Sequence, residues 1–166
     1  MKKLLVLFTI SLIILSCQNE PKDYVTLSGK ITNVHPDKTI KIFKGQEYEK
    51  IIIINDDGTF TDTLKVEAGD YSFKHGDEYG TIFLKNNNVS SLTTDYEDFD
   101  NSLVFAGDDA DNNNFGIEFY KLGDQHFSAD LFYDTKKEDL DAAINNYKTG
   151  FEELKLKLKG VDSLHL

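Results

Sequence analysis

Residues 50–64 read KIIIINDDGTFTDTL, an apolar run followed by a turn signal and a second strand-like run. The Asp57-Gly58 pair predicts a β-hairpin, because both residue types tolerate the positive φ of tight hairpin turns. Ile51 to Ile54 are apolar at every position, so this strand is predicted to be central, with both faces covered. The stretch therefore indicates a β fold.

Short strand-like runs separated by turn residues extend over residues 24–106. Pro, Gly, Asp and Asn punctuate them at the spacing of an antiparallel sandwich or barrel. The sequence predicts a mainly β protein, an antiparallel β-sandwich of about eight short strands followed by C-terminal α-helices. The predicted strands are Val25–Val34, Thr39–Phe43, Lys50–Ile54, Thr59–Val66, Tyr71–Lys74, Tyr79–Lys85, Val89–Asp95 and Ser102–Phe105.

Residues 107–166 form a predicted helical segment. After a polar break at 107–114, one helix is predicted over 115–122, and Gly123-Asp124 is expected to end it. A second helix is predicted over 136–159, with a capping box at 135–138, a C-cap at Gly160, and Gly150 weakening its middle by about 1 kcal/mol. Its apolar stripe consists of Leu140, Ile144, Tyr147, Phe151, Leu154 and Leu158.

The composition excludes several function classes. The chain has 166 residues, a net charge of −11, 18 Lys and no Arg, so it is a poor nucleic-acid binder, because phosphate neutralisation needs clustered cations. One Cys cannot form an internal disulfide, a CxxC redox pair or a Cys-based zinc site. No cofactor-binding motif is present, and no catalytic residue can be assigned.

The N-terminus predicts a signal peptide and a lipid anchor. Residues 1–16 combine two lysines with an apolar run too short to span a bilayer. Ser16-Cys17 resembles a bacterial lipobox, which implies acylation of the Cys17 thiol and cleavage before it. Several acyl chains together give stable anchoring. A secreted protein with a chance Cys at its cleavage site is the alternative.

The polar residues 17–23 are predicted to be a lipidated tether. Gln18 after the Cys favours the outer membrane, and we expect a lipoprotein of the cell envelope that faces the periplasm. The acidic and lysine residues of the tether also fit a surface-export signal of some Gram-negative lineages, but a plain spacer is the preferred interpretation. The expected partner is thus the membrane, bound through the lipid.

Residues 109–114 copy the first half of a calcium loop, with candidate ligands Asp109, Asp111 and Asn113. The second half departs from the pattern, because Tyr120 stands where the bidentate Glu is needed. The competing interpretation is a loop whose Asp and Asn side chains cap the next helix. The histidines do not show metal-site spacing. No metal site is therefore predicted, and the loop is retained only as a candidate.

Two three-residue segments resemble the Asp-[Ser/Thr]-apolar sequon of a bacterial periplasmic O-glycosylation system. They are centred on Thr63 and Ser163. Patterns this short arise often by chance, so a solvated surface is the competing interpretation.

Four segments together carry a family resemblance: LSGKITN at 27–33, NDDGTFTDTL at 55–64, GDYSF at 69–73 and IFLKN at 82–86. With the lipobox before them and helices after them, they resemble the N-terminal β-domain of TlpA-like thioredoxin-family lipoproteins, over about residues 1–160. In that family a thioredoxin domain with CxxC follows. The resemblance implies a C-terminal or partner thioredoxin-like domain, and it carries no catalytic residue onto this chain.

These observations leave three hypotheses. The first is a lipid-anchored, non-catalytic accessory module that positions a partner domain of a thiol-disulfide oxidoreductase lipoprotein. The second is a stand-alone lipoprotein that binds calcium, glycan or peptide. The third is an enzyme, which the sequence does not favour.

Overall fold

A computed structural model of the chain describes residues 20–127, 131 and 136–157. The predicted succession of strands is confirmed. The strands are β1 Val25–Thr32, β2 Thr39–Lys44, β3 Tyr48–Ile53, β4 Thr59–Leu64, β5 Gly69–His75, β6 Glu78–Leu84, β7 Val89–Asp95 and β8 Val104–Gly107. The helices are α1 Phe99–Ser102, which follows a 3-10 turn, α2 Ala110–His126 and α3 Lys137–Lys157.

The strands form two four-stranded sheets. Sheet I has the order β4-β1-β7-β8, and sheet II has the order β3-β2-β5-β6. The pairs are antiparallel except β1–β7, which is parallel. Side chains from the inner faces of both sheets form one apolar core. The mainly β sandwich with C-terminal helices is therefore the observed fold.

The centre of sheet I requires a glycine. A Cβ on Gly29 of β1 would lie 2.0 Å from the Leu92 carbonyl oxygen and 2.7 Å from the Phe60 ring. Strands β7 and β4 flank β1 on either side, so the phenyl ring covers the backbone where a side chain would otherwise stand. The glycine of the LSGKITN segment thus serves packing rather than a turn.

The prediction of a central strand at Ile51 to Ile54 is wrong. Strand β3 lies at the edge of sheet II, and β2 is its only pairing partner among the described strands. Ile52 and Ile54 enter the core, but Ile51 is 53% and Ile53 67% exposed. The strand therefore alternates in burial like the others, although its sequence does not alternate in polarity. The chain turns after it at Gly58, where φ is +82°, and β4 joins the other sheet.

Helix α2 is longer than predicted at both ends. It begins inside the supposed polar break and continues through Gly123 and Asp124. The Phe127 N–H donates to the Gly123 carbonyl, and the Phe127 ring packs 5.1 Å from Tyr147 of α3. Tertiary packing therefore overrides the weak local stop signal.

Helices α2 and α3 pack through an aromatic seam. Phe115 and Phe119 of α2 meet Tyr147 and Phe151 of α3 at centroid distances between 5.6 and 6.3 Å. A Cβ on Gly150 would lie 2.6 Å from a Leu122 methyl group, so this glycine lets the helices approach. Thr135 and Leu158 to Leu166 lie outside the described residues. No described helix is long and apolar enough to cross a membrane.

Candidate functional site

Two consecutive asparagines in the first turns of α2 each form hydrogen bonds with one edge strand of a sheet. Asn113 accepts from the Phe83 N–H at 2.6 Å and donates to the Phe83 carbonyl at 3.2 Å. Asn114 makes the same pair of bonds with Phe105, at 3.0 and 2.9 Å. Phe83 belongs to β6 and Phe105 to β8, the edge strands on this side of the sandwich. We call these four bonds the edge clasps.

The chemistry of the asparagine side-chain amide explains how the edge clasps form. A primary amide carries an acceptor and donors side by side, so it can replace one residue of a neighbouring strand. Consecutive residues near a helix N-terminus project in different directions, which lets one reach each sheet. Asn113, Phe83 and Phe105 are buried, so water cannot easily substitute for the lost partner. The clasps therefore fasten the helical hairpin to the sandwich.

The calcium-loop candidates have separate roles. Buried Asp109 accepts from Asn88 Nδ2 at 2.7 Å and from Ser90 Oγ at 3.0 Å. Burial raises the pKa of Asp109, while those two hydrogen bonds oppose the rise. Asn113 belongs to an edge clasp, and Asp111 is exposed. The residues thus do not face one common centre, and no group of three or more His, Cys, Asp or Glu side chains in the described ranges could hold a metal.

The helix-cap interpretation of this loop is wrong in detail. Asp109 occupies the N-cap position of α2, but its side chain makes no capping hydrogen bond. It turns instead towards β7 and the preceding turn, where Ser90 and Asn88 lie. The side chain that sequence reasoning assigned to the helix therefore secures the loop to sheet I.

The fold brings together two histidines that are 40 residues apart. His75 is fully buried; its Nε2 accepts from the His35 backbone N–H at 3.0 Å, and its Nδ1 lies 2.8 Å from the Thr39 carbonyl. These bonds place the ring proton on Nδ1. Tyr96 packs against both imidazoles at 5.2 and 5.3 Å. No spacing in the sequence signals this cluster, because antiparallel pairing creates it.

Asp37 lies at the rim of the histidine cluster. Its Oδ1 is 3.2 Å from His35 Nδ1 and 3.9 Å from His75 Nδ1. Desolvation alone would raise the pKa of Asp37, but contact with His35 and the hydrogen bond from the Thr39 N–H outweigh it and lower the pKa. Because His75 of β5 accepts from the His35 backbone N–H and lies against the Thr39 carbonyl of β2, the cluster acts as a structural joint between β2 and β5.

A groove of about 610 Å³ separates the β6 edge from α2. Tyr79, Thr81 and Phe83 form the strand wall, and Gly116 and Tyr120 belong to the helix wall. A size of this order and a lining of aromatic and polar groups are typical of binding sites for small ligands and peptides. Sequence reasoning did not find the groove, because its two walls come from distant segments.

The groove floor is apolar and its rim is charged. Phe99, Leu103 and Ile117 close the bottom, where they also belong to or pack against the core. The carboxylates of Asp70 and Asp100 outnumber the one ammonium group, that of Lys121, in the lining. The groove is therefore slightly acidic, like the chain as a whole.

The modification candidates are only partly described. Thr63 lies exposed on β4, an edge strand of sheet I. Ser163 and the lipidation candidate Cys17 fall outside the described residues. Glycosylation and lipidation remain predictions from the sequence.

The sequence matches no protein-family model and no curated protein. Solved structures give partial likenesses. A DUF3823 family protein from Bacteroides ovatus is 19% identical with a TM-score of 0.33, over 44% of each chain. One from Parabacteroides merdae is 17% identical with a TM-score of 0.33, over 43% of this chain and 45% of that one. A "putative cell adhesion protein" from Bacteroides ovatus is 11% identical with a TM-score of 0.34, over 53% and 44%.

The present chain thus spans less than half the length of these three proteins. The likenesses are partial and at low identity. They give no link to the thioredoxin family that the sequence motifs resemble.

Proposed function

We propose that this chain is a lipid-anchored, non-catalytic module of the cell envelope. It would be held at the outer membrane through Cys17 and face the periplasm. Its task would be to position a partner domain, since in the TlpA-like thioredoxin-family lipoproteins that it resembles a thioredoxin domain follows the N-terminal β-domain. The observation that supports a positioning role is the pair of edge clasps, which fix the helical hairpin to both sheets.

The clasps favour a rigid module over a flexible one. Their four hydrogen bonds involve backbone groups of two buried residues, and leaving one such group unpaired costs about 1–3 kcal/mol. The hairpin therefore cannot swing away from the sheets without a large loss of stability. A domain attached to the hairpin would keep a constant orientation towards the sandwich.

The start of the described chain fits a short tether. The Lys22 N–H donates to Asn87 at 2.9 Å, and Asp23 forms an ion pair with Lys65. Five residue steps separate Cys17 from Lys22, which span at most about 16–18 Å. An anchor at Cys17 would thus hold the sandwich close to the membrane surface.

The hairpin also offers a surface for the partner domain. Tyr120 of α2 is 66% and Leu156 of α3 is 79% exposed. A photo-crosslinking residue at Leu156, introduced into the chain in its native host, should capture a protein whose identified peptides contain a thioredoxin-like CxxC. Capture of only unrelated proteins, or equal capture from exposed Asn146, would argue against this partner.

The anchor has a direct test. The wild-type chain should incorporate labelled palmitate, begin at Cys17 and enter the detergent phase. Cys17→Ala should lose label and detergent partition, whereas Ser16→Ala keeps a small lipobox residue and should retain both. A Cys17→Ala variant that partitions like the wild type would refute lipidation at this residue.

The groove favours a second candidate, a stand-alone binding lipoprotein. Calcium has little support, because Asp109 and Asn113 are engaged inside the protein. The aromatic lining and the volume of about 610 Å³ suit an organic ligand such as a glycan or peptide. Binding of either by the purified chain, without any thioredoxin-like partner, would favour this candidate.

A further inference from the structure

We propose that the groove binds an extended peptide, which adds a strand to the free edge of β6. This inference rests on the binding role just described for the groove and needs no lipid anchor. It identifies the ligand as a segment of polypeptide with apolar residues at alternate positions and a basic residue.

The first step concerns the direction of the β6 backbone. The N–H and C=O of Phe83 point away from β5, since Asn113 binds both. In an antiparallel pair, every second residue directs these groups to the same side. The backbone groups of Thr81 and Tyr79 therefore also point to the free edge, and no bond at this edge joins them to another residue of the described ranges.

The second step concerns Asn113. Its amide already occupies the place that a residue of an added strand would take opposite Phe83. A peptide that continues from this amide would meet Thr81 and then Tyr79, at about 3.3 Å per residue. The clasp thus gives the incoming strand a fixed end and register.

The third step concerns the space beside the edge. Gly116 of α2 has no atom within 4 Å of its ideal Cβ position, so the helix leaves room here. An added strand would direct alternate side chains towards the apolar floor of Phe99, Leu103 and Ile117. Peptide recognition by strand addition takes affinity from the main chain and specificity from such alternate pockets.

The fourth step concerns charge. The groove lining includes the carboxylates of Asp70 and Asp100 and the ammonium group of Lys121, and the chain carries a net charge of −11. An acidic peptide would be repelled, whereas a Lys or Arg next to the apolar positions would be attracted. Electrostatics therefore selects a neutral or basic segment.

The test is a titration of the isotope-labelled full chain in detergent micelles. The probes are capped eight-residue peptides with Val or Leu at alternate positions and Lys or Thr between them. The backbone amides of Tyr79 and Thr81 should shift and exchange more slowly. A twin peptide with two N-methylated central residues should bind about tenfold more weakly, because two of its central main-chain donors are gone.

Three variants locate the site. Thr81→Pro removes the edge N–H and should weaken binding about tenfold. If Thr81→Pro fails to fold, Gly116→Trp fills the groove and should abolish binding. Gly123→Trp places the same side chain at an equally open position of α2 outside the groove and should bind normally.

Three results would overturn the inference. They are equal binding of the N-methylated twin, absence of binding by every peptide of the panel, and protection of Thr81 in a peptide-free dimer. None of them affects the Cys17 partition test, so a failed anchor and a failed strand addition are distinguishable.

Discussion

Removing the Asn113 clasp should destabilise the fold far more than removing an exposed asparagine. In Asn113→Ala, the N–H and C=O of buried Phe83 lose their hydrogen bonds to Asn113. Each unpaired buried group costs about 1–3 kcal/mol, and the higher helix propensity of Ala returns about 0.5 kcal/mol. The two groups together cost about 2–6 kcal/mol, so we expect a net loss of about 1.5–5.5 kcal/mol in the free energy of unfolding.

Two matched variants separate the effect of the lost clasp on stability from the effect of helix propensity. Asn146→Ala replaces an exposed helical asparagine, so it gains the same propensity and loses no buried bond. Asn114→Ala should fall between the two, at about 1–2 kcal/mol, because Asn114 is half-buried and water can reach part of its site. These differences should appear in urea unfolding monitored by tyrosine fluorescence and circular dichroism.

Amide exchange adds a residue-level measurement. The Phe83 N–H should exchange slowly in the wild type and at least tenfold faster in Asn113→Ala, while Phe105 stays protected by Asn114. If Asn113→Ala is no less stable than Asn146→Ala, or if Phe83 remains protected, the clasp does not fasten the helix.

Three further predictions concern single positions. Gly58→Val should destabilise the sandwich more than replacement of a surface Lys by Ala, because φ is +82° and a Cβ would lie 2.1 Å from the Ile31 carbonyl oxygen. Asp109→Asn should be neutral or stabilising at pH 7 in unfolding experiments, since it removes a buried charge and keeps bonding capacity. Because the folded pKa of Asp109 is raised, the wild type should gain stability relative to Asp109→Asn as the pH falls through that pKa. Thr63→Ala should remove a glycan mass from the protein of the native host.

Each of these has an opposing outcome. A Gly58→Val chain as stable as a variant with one surface Lys replaced by Ala would contradict the turn argument. A wild type that loses stability relative to Asp109→Asn on acidification would show that the aspartate is held as a charge. An unchanged mass in Thr63→Ala would leave Thr63 as an ordinary exposed strand residue.

The sequence by itself determined where the strands lie. Each predicted strand appears within a few residues of its expected bounds, because β-branched runs and Gly, Asp and Asn turns act locally. The helical periodicity of residues 136–159 likewise predicted α3, whose Phe151 and Leu154 face α2 or the interior.

Tertiary structure alone decided which strands are neighbours and which polar groups meet. The four consecutive isoleucines predict a central strand, but β3 is an edge strand of sheet II. The prediction fails because strand order depends on pairing between distant segments. The same non-local pairing joins His35 to His75. It also brings Asn113 to Phe83, 30 residues earlier in the chain. Local patterns report burial and turns, whereas these contacts exist only after the two sheets and α2 have packed together.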